Sequence, residues 1–315
     1  MMKEDTNIQE FLHVSVLPDE VIEGLELKNK KVIVDCTLGL GGHAKLILQN
    51  LGDQGKLIGF EVDEDNLKAA RKNLKSFGER AVLINANFSR LSEELKKLKV
   101  RGVDAVFIDL GLSSPQVDNP GKGFSFLREG PLDMRFDKTQ ALTAAQVINM
   151  YPQTELIRIF KEYGEEPLAR KIVAAIAKRR KSRPFKTTTE LAWFLEKLLK
   201  RKSHIHPATR VFQALRITVN NELDVLDSVL RQAVEVLKKK GRLVVISYHS
   251  LEDRMVKRFF RECAREFVNE PEKLTTTYLK PVLKIITKKP VMPSQDEITR
   301  NPRSRSAKLR IAEKL

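Results

Sequence analysis

The chain has 315 residues, 42% of them hydrophobic, with a formal net charge of +16 and two cysteines. That length suits one large domain plus a smaller one, and no apolar run approaches a membrane span. The segment 1–10 mixes charges without an apolar core, which speaks against a secretory leader, and Cys36 and Cys263 lack C-x-x-C spacing and read as buried thiols of a reducing compartment. A soluble, cytoplasmic chain is expected. The charge is uneven: residues 112–212 hold 19 basic against 10 acidic side chains, 238–315 hold 20 against 9, and the remainder sums to −4. A near-neutral half beside two basic stretches suits a nucleic-acid partner, since phosphate contacts supply most sequence-independent affinity. A lysine-rich solvated surface explains the same numbers equally well.

Residues 11–18 read as extended and 19–25 as an amphipathic helix. The β-branched run 31–35 predicts a buried strand. The turn 37–43 (T-L-G-L-G-G-H) is too glycine-rich for strand interior. Helical spacing then covers 44–51, and a second strand at 57–60 ends in Glu61 and Asp63. Helix 64–77, strand 81–84, helix 90–98 and strand 103–109 continue the alternation, which implies a parallel sheet with right-handed crossovers. Residues 110–137 have no period and read as loop. Helical segments follow at 143–150, 154–163, 167–181 and 187–201, the last with a capping box in Thr187 and Glu190. The sheet pattern returns with a helix over 207–240 broken near Asn220 and Asn221, strand 241–247, helix 251–267, and strands at 283–288 and 308–312 that can pair as a hairpin. The expected architecture is α/β: a Rossmann-like, seven-stranded sheet over 1–114 and 208–315, with an all-helical insertion at 115–207.

A glycine turn feeding a helix N-terminus, with an acid at the tip of the next strand, is a nucleotide crevice. Gly39, Gly41 and Ala44 meet the dinucleotide spacing, with Glu61 placed for a ribose, so NAD is one candidate. Asp35 and the turn D-x-T-x-G-x-G-G-H resemble instead the first motif of class I S-adenosylmethionine (AdoMet) methyltransferases, with Thr37 in place of the first glycine. Acids and backbone groups suit the sulfonium and amino-acid tail of AdoMet. No second α/β domain and no Tyr-x-x-x-Lys pattern remain for a dehydrogenase.

The end of the fourth strand, 109–116 (D-L-G-L-S-S-P-Q), lies beside the first strand in such a sheet. It is related to the D/N/S-P-P-aromatic motif with which amino-group methyltransferases hold the target NH2, but its Asp109 and Pro115 are separated by a longer turn. A plain helix N-cap after a strand is the bland alternative.

With these blocks in order the chain resembles the bacterial RsmH (MraW) family, which methylates N4 of a cytosine in the decoding centre (P-site region) of 16S ribosomal RNA. The resemblance runs through 13–20 (H-V-S-V-L-P-D-E), 35–43, 109–116, 121–136 (G-K-G-F-S-F-L-R-E-G-P-L-D-M-R-F), 206–223, 247–257 (S-Y-H-S-L-E-D-R-M-V-K) and 301–313. It implies AdoMet contacts at Gly41, Gly42, His43, Glu61, Phe88, Asp109 and Gln116, to which the motif reading adds Asp35 and Gly39. Glu61 stands where the family usually has Asp, and Ala44 where a small hydroxyl residue is common. Asp109, Ser113, Ser114 and Pro115 are the candidates for orienting the amine.

Phe124 and Phe126, in a glycine-rich loop, are candidates for stacking on a flipped cytosine, with loop anchoring as the alternative. His249 could line the base pocket or sit behind it. The runs 178–183, with Arg179 and Arg180, and 200–202 are candidate phosphate contacts, although helix C-termini also favour cations. His204 and His206 lack a cysteine or carboxylate at ligand spacing, so no metal is expected. The implied partner is 16S rRNA or the small ribosomal subunit, no membrane is expected, and a homodimer is compatible with the sequence. A non-catalytic AdoMet- and rRNA-binding assembly factor is the second reading.

Overall fold

The alternation of the first half folds as expected because its strands are apolar on both faces and its helices on one. In the computed structural model, which describes residues 15–200, 205–270 and 275–315, α1 (Pro18–Leu25) precedes β1 (Val32–Asp35), α2 (Gly42–Asn50), β2 (Lys56–Glu61), α3 (Glu64–Asn73), β3 (Ala81–Asn85), α4 (Leu91–Lys97) and β4 (Val103–Asp109). The expected extended residues 11–14, His204 and residues 201–202 of the second basic run lie outside the described residues. After β4 come α5 (Ser114–Asp118), α6 (Ala144–Met150), α7 (Gln153–Glu162), α8 (Ala169–Arg180), α9 (Thr188–Leu199), α10 (Thr209–Asn220) and α11 (Glu222–Val236). The chain returns through β5 (Leu237–Ser247), α12 (Ser250–Cys263), β6 (Phe267–Glu270), β7 (Thr275–Tyr278), β8 (Leu283–Ile285), α13 (Gln295–Arg300) and β9 (Lys308–Lys314).

Seven strands form one sheet in the order β3-β2-β1-β4-β5-β9-β8. β1 to β5 are parallel, and β9 runs antiparallel between β5 and β8. Successive strand residues point to opposite faces. Val34, Ile58, Val106, Ile108 and Val245 therefore pack beneath α4, α11 and α12. Ile33, Leu57, Ala105, Phe107 and Val244 pack beneath α1, α2 and α3. Each fully buried aliphatic side chain contributes about 1.5–3 kcal/mol, so the two faces together fix the register of the sheet.

Several details differ from expectation. The helix after β2 ends at Asn73 and gives way to a 3-10 turn in which Gly78 takes φ +54°. The helix expected to reach 267 stops at Cys263, and Phe267 opens β6, which pairs with β7 as a separate two-stranded ribbon. β8 spans Leu283–Ile285 only, and the late pair β8–β9 is joined through α13 rather than by a tight turn. Among the described residues, no helix is long and apolar enough to cross a membrane.

The helical insertion has its own core, built from Val147, Leu156, Ile159, Phe160, Ile172 and Leu195. Val211, Phe212, Leu215 and Val219 of α10, which lie past the expected 207/208 boundary, join that core. Asn221, with φ +50°, ends α10 and turns the chain directly into α11.

Candidate active site

The parallel strands β1, β2 and β4 end on the same edge of the sheet, and each ends in an acid. Asp35 pairs in register with Phe107, two residues before Asp109, and Glu61 pairs with Asn85. The glycine turn fits between them because Gly39 (φ +53°) and Gly41 (φ +83°) adopt backbone conformations that side chains disfavour. Gly41 places α2's first N–H groups at the crevice.

Asp35 Oδ1 accepts the Thr37 N–H at 3.0 Å, while its buried Oδ2 has no hydrogen-bond partner among the described residues. Burial, with the charge of Asp109 adding, pushes the Asp35 carboxyl up to about 7. Thr37, which replaces the expected glycine, uses its Oγ1 to accept the Asp109 N–H at 2.6 Å and so ties the turn to β4.

Asp109 lies at the floor of the crevice with a fifth of its side chain exposed. Tyr248 donates its hydroxyl to Asp109 Oδ1 at 2.9 Å. Burial pushes the Asp109 carboxyl up to about 7 against that hydrogen bond, and the charge of Glu252 adds to the rise. His43 Nε2 lies 2.8 Å from the Val16 carbonyl and so carries a proton, leaving Nδ1 to face Asp109 Oδ2 at 3.5 Å. Burial pulls the His43 pKa down to about 4, so the ring is neutral and its bare Nδ1 favours a proton on Asp109.

On the other side of the crevice Glu61 Oε1 accepts the Asp63 N–H at 2.8 Å and Oε2 the Asn66 amide at 3.3 Å. Burial pushes Glu61 up to about 7. Asn66 and Ser113 bond side chain to side chain at 3.1 Å, and Gln116 Oε1 accepts the Ser113 N–H at 3.0 Å. Gln116 Nε2 donates to Asp63 Oδ2 at 3.2 Å. Asp63 also caps α3 and holds the buried Lys122 ammonium in an ion pair. Burial alone would raise the Asp63 carboxyl, but the hydrogen bonds from Lys122 and Gln116 outweigh it and hold it below the usual range.

The structure thus brings Asp35, Gly39, Gly41, Gly42, His43, Glu61, Asp109, Ser113 and Gln116 around one crevice. Phe88 stands in the 3-10 turn after β3, half-buried against the sheet core. Ser114 and Pro115 open α5 directly after Ser113, with Pro115 exposed. Lys122, Asn66 and Tyr248 were not singled out from the sequence. The G-K-G spacing and the acid at the strand tip were visible, but not their pairing.

Other candidates are engaged elsewhere. Phe124 is buried and stacks on Phe136 at 5.2 Å, and Phe126 stacks on His206 at 4.6 Å and meets Phe212 edge-on at 4.9 Å. Both help anchor the glycine-rich loop to the helical core, Phe124 buried and Phe126 half-buried, which is the anchoring alternative. Arg179 pairs with Glu190 and lies over the rings of Phe185 and Phe194 at 4.1 and 5.1 Å. Arg180 donates to the Ile148 and Tyr151 carbonyls at 2.9 and 2.8 Å, closing the C-terminus of α6. These two arginines hold helices together, in contrast to the expected phosphate grip. Glu190 accordingly does not close the expected capping box: Thr187 accepts its N–H, but its carboxylate goes to Arg179 and to the Lys186 N–H.

His249 caps α12 and stands 3.0 Å from Glu252 Oε1, behind Tyr248 rather than in the crevice. Ligand atoms of Glu222, His249 and Glu252 lie within 4.8 Å of one another. Arg216 binds Glu222 through two contacts of 2.8 Å and approaches Glu252 at 3.8 Å, so a fixed cation already occupies that cluster.

A model of the MraW methylase family matches residues 10–315. The ribosomal RNA small subunit methyltransferase H of Carboxydothermus hydrogenoformans is 50% identical over 314 residues, covering 97% of this chain and 99% of that protein. Its namesake in Clostridioides difficile is 43% identical over 311 residues, 97% and 100% of the two chains. That of Dehalococcoides mccartyi is 47% identical over 309 residues, 97% and 87%.

Proposed function

The chain belongs to the MraW methylase family, whose methyl donor is AdoMet, and from that premise we propose that it methylates the exocyclic N4 of a cytosine in the decoding centre of 16S rRNA. The observation that carries the reading is the pair of acids at neighbouring strand ends, one with an unused oxygen and one beside the Ser113–Gln116 turn. The unpartnered Asp35 Oδ2 suits the ammonium of a methionine tail, the glycine turn suits its close backbone approach, and Glu61 suits ribose hydroxyls. Phe88 offers an apolar face for adenine. Bound there, AdoMet supplies an electrophilic methyl group on a sulfonium centre.

The protein's part is positioning and proton management. An exocyclic amine must turn its lone pair out of ring conjugation and afterwards shed one proton. Asp109 and the backbone of residues 113–115 are the acceptors that orient its N–H groups. A carboxyl that titrates near neutrality is matched to receiving that proton or passing it to water.

Incubation with methyl-labelled AdoMet and unmodified small ribosomal subunits, followed by nucleoside digestion, tests the reading. Label in N4-methylcytidine at one site is expected. No label despite AdoMet binding returns the assembly-factor reading. Asp109→Asn is expected to keep AdoMet affinity and to lower turnover about 100-fold; lost affinity assigns Asp109 to the cofactor instead.

A further inference from the structure

The end of α8 and the start of α9 border an open groove of about 860 Å³ that the crevice chemistry does not use. Its wall carries Trp193, 56% exposed and the only tryptophan in the chain. Lys197, one turn further along α9, lies 3.7 Å from the centre of the indole. Arg183 and Lys186 line the same groove with exposed side chains, and Ser182 and Thr189 add hydroxyls. Two carboxylates are present. Glu190 is committed to Arg179 and lies 3.3 Å from Arg183, and Glu129 stands on the facing loop.

Lys197 lies over the half-exposed indole, and the groove's other groups select what the remaining exposed surface can bind. Cations and hydroxyls around an aromatic plane match a polyanion whose monomers have π-faces. We propose that this groove binds a single-stranded segment of the substrate RNA, with a base stacked on Trp193 and phosphates held by Arg183, Lys186 and Lys197. The inference rests on the reading of an RNA substrate and says where that RNA is held outside the crevice.

The groove is also mechanically joined to the crevice. Thr188, at the start of α9, exchanges hydrogen bonds with Gly130 and Arg128, and Pro131 bridges to Thr187. The same loop continues back to Lys122, whose carbonyl accepts the Met134 N–H and whose ammonium is paired with Asp63 at the crevice rim. A strand held on α9 is therefore gripped by the structure that frames the cofactor side.

The single tryptophan makes the test direct. A short ten-cytidine RNA strand is titrated into the protein while the Trp193 emission is followed. Saturable quenching is expected, and Trp193→Ala, followed by a labelled strand, is expected to weaken binding roughly 5- to 100-fold. The Arg183→Glu/Lys186→Glu variant is expected to flatten the salt dependence by at least one unit of log K against log salt, since each phosphate contact on a single strand contributes about 0.7. AdoMet affinity and thermal melting serve as folding controls and are expected to be unchanged in both variants. With small subunits as substrate, Trp193→Ala should raise KM and leave kcat near its starting value. RNA binding with unaltered emission, or equal affinity in the variants, overturns the proposal. If Trp193-dependent binding is found but no methyl label enters the rRNA, the groove stands and the methyltransferase reading fails.

Discussion

Asp109 is held by more groups than a simple cofactor contact requires. Tyr248, His43, Asp35 and Glu252 all act on it, and among these described residues the Tyr248 hydroxyl is the one that stabilises its ionised form. Removing that hydroxyl with Tyr248→Phe takes away a charge-assisted hydrogen bond, so the Asp109 carboxyl should rise by about one further unit. Turnover that depends on ionised Asp109 would then need a higher pH. The expected result is a kcat–pH profile whose acidic limb moves to higher pH in Tyr248→Phe, with AdoMet affinity at pH 8.5 little changed. An unmoved limb would mean that Asp109 does not govern the step. This residue also shows what a sequence hides. Asp109 was visible as an acid at a strand tip, whereas its partner is 139 positions away. Arg179 and Arg180 show the same limit: a basic run reveals charge but not the Glu190 carboxylate or the α6 carbonyls that engage it.

The elements that could be read were those ordered by period. β1 to β4 and α6 to α11 appear close to where apolar spacing put them, because burial of one face decides them. Residues 110–137 have no period, yet they are firmly placed. Their order comes from side chains that reach across the chain: Phe124, Leu132 and Met134 are buried in the helical core, and Lys122 pairs with Asp63, both side chains 6% exposed. Breaking such a pair from one side leaves a charge buried alone, which costs about 3–5 kcal/mol. Lys122→Met should therefore lower stability by that amount in urea unfolding and weaken AdoMet binding, because Asp63 also positions Gln116. Adding Asp63→Asn should restore most of the stability, since no uncompensated charge then remains. A single variant as stable as the parent would show that the loop is held by its other contacts, such as Gly123 against Pro131 and Gly130 against Pro120.

At the scale of the molecule, the crevice concentrates three carboxyls, Asp35, Glu61 and Asp109, each pushed by burial up to about 7. In an unfolded chain such groups titrate near 4. Between about pH 4.5 and 7 the ligand-free folded state therefore binds more protons than the unfolded one, and stability must fall as pH rises. Each group contributes a slope of up to about 1.4 kcal/mol per pH unit. His43 acts in the opposite sense, since its pKa is pulled down to about 4 and its contribution is lost as pH falls through that value. The carboxyls held below the usual range, Asp63, Asp104, Asp133, Glu165, Glu252 and Asp253 among them, also oppose the downward slope. From about pH 5.5 upward, however, they are almost fully ionised in both states, so in that window one histidine against three acids leaves the slope in place. Repulsion within a chain of net charge +16 also opposes it, by destabilising the fold on acidification, but that effect is screened at about 0.5 M salt. The sulfonium and ammonium of AdoMet reverse the preference of nearby acids, because they bind best to the ionised forms. The stabilisation given by saturating AdoMet should accordingly be larger at pH 7.5 than at pH 5.5, while the ligand-free protein is less stable at pH 7.5 than at pH 5.5. Urea unfolding at those two pH values, with and without AdoMet, separates the effects. A ligand contribution independent of pH would mean that the acids are already ionised in the empty crevice, and that burial does not hold their protons.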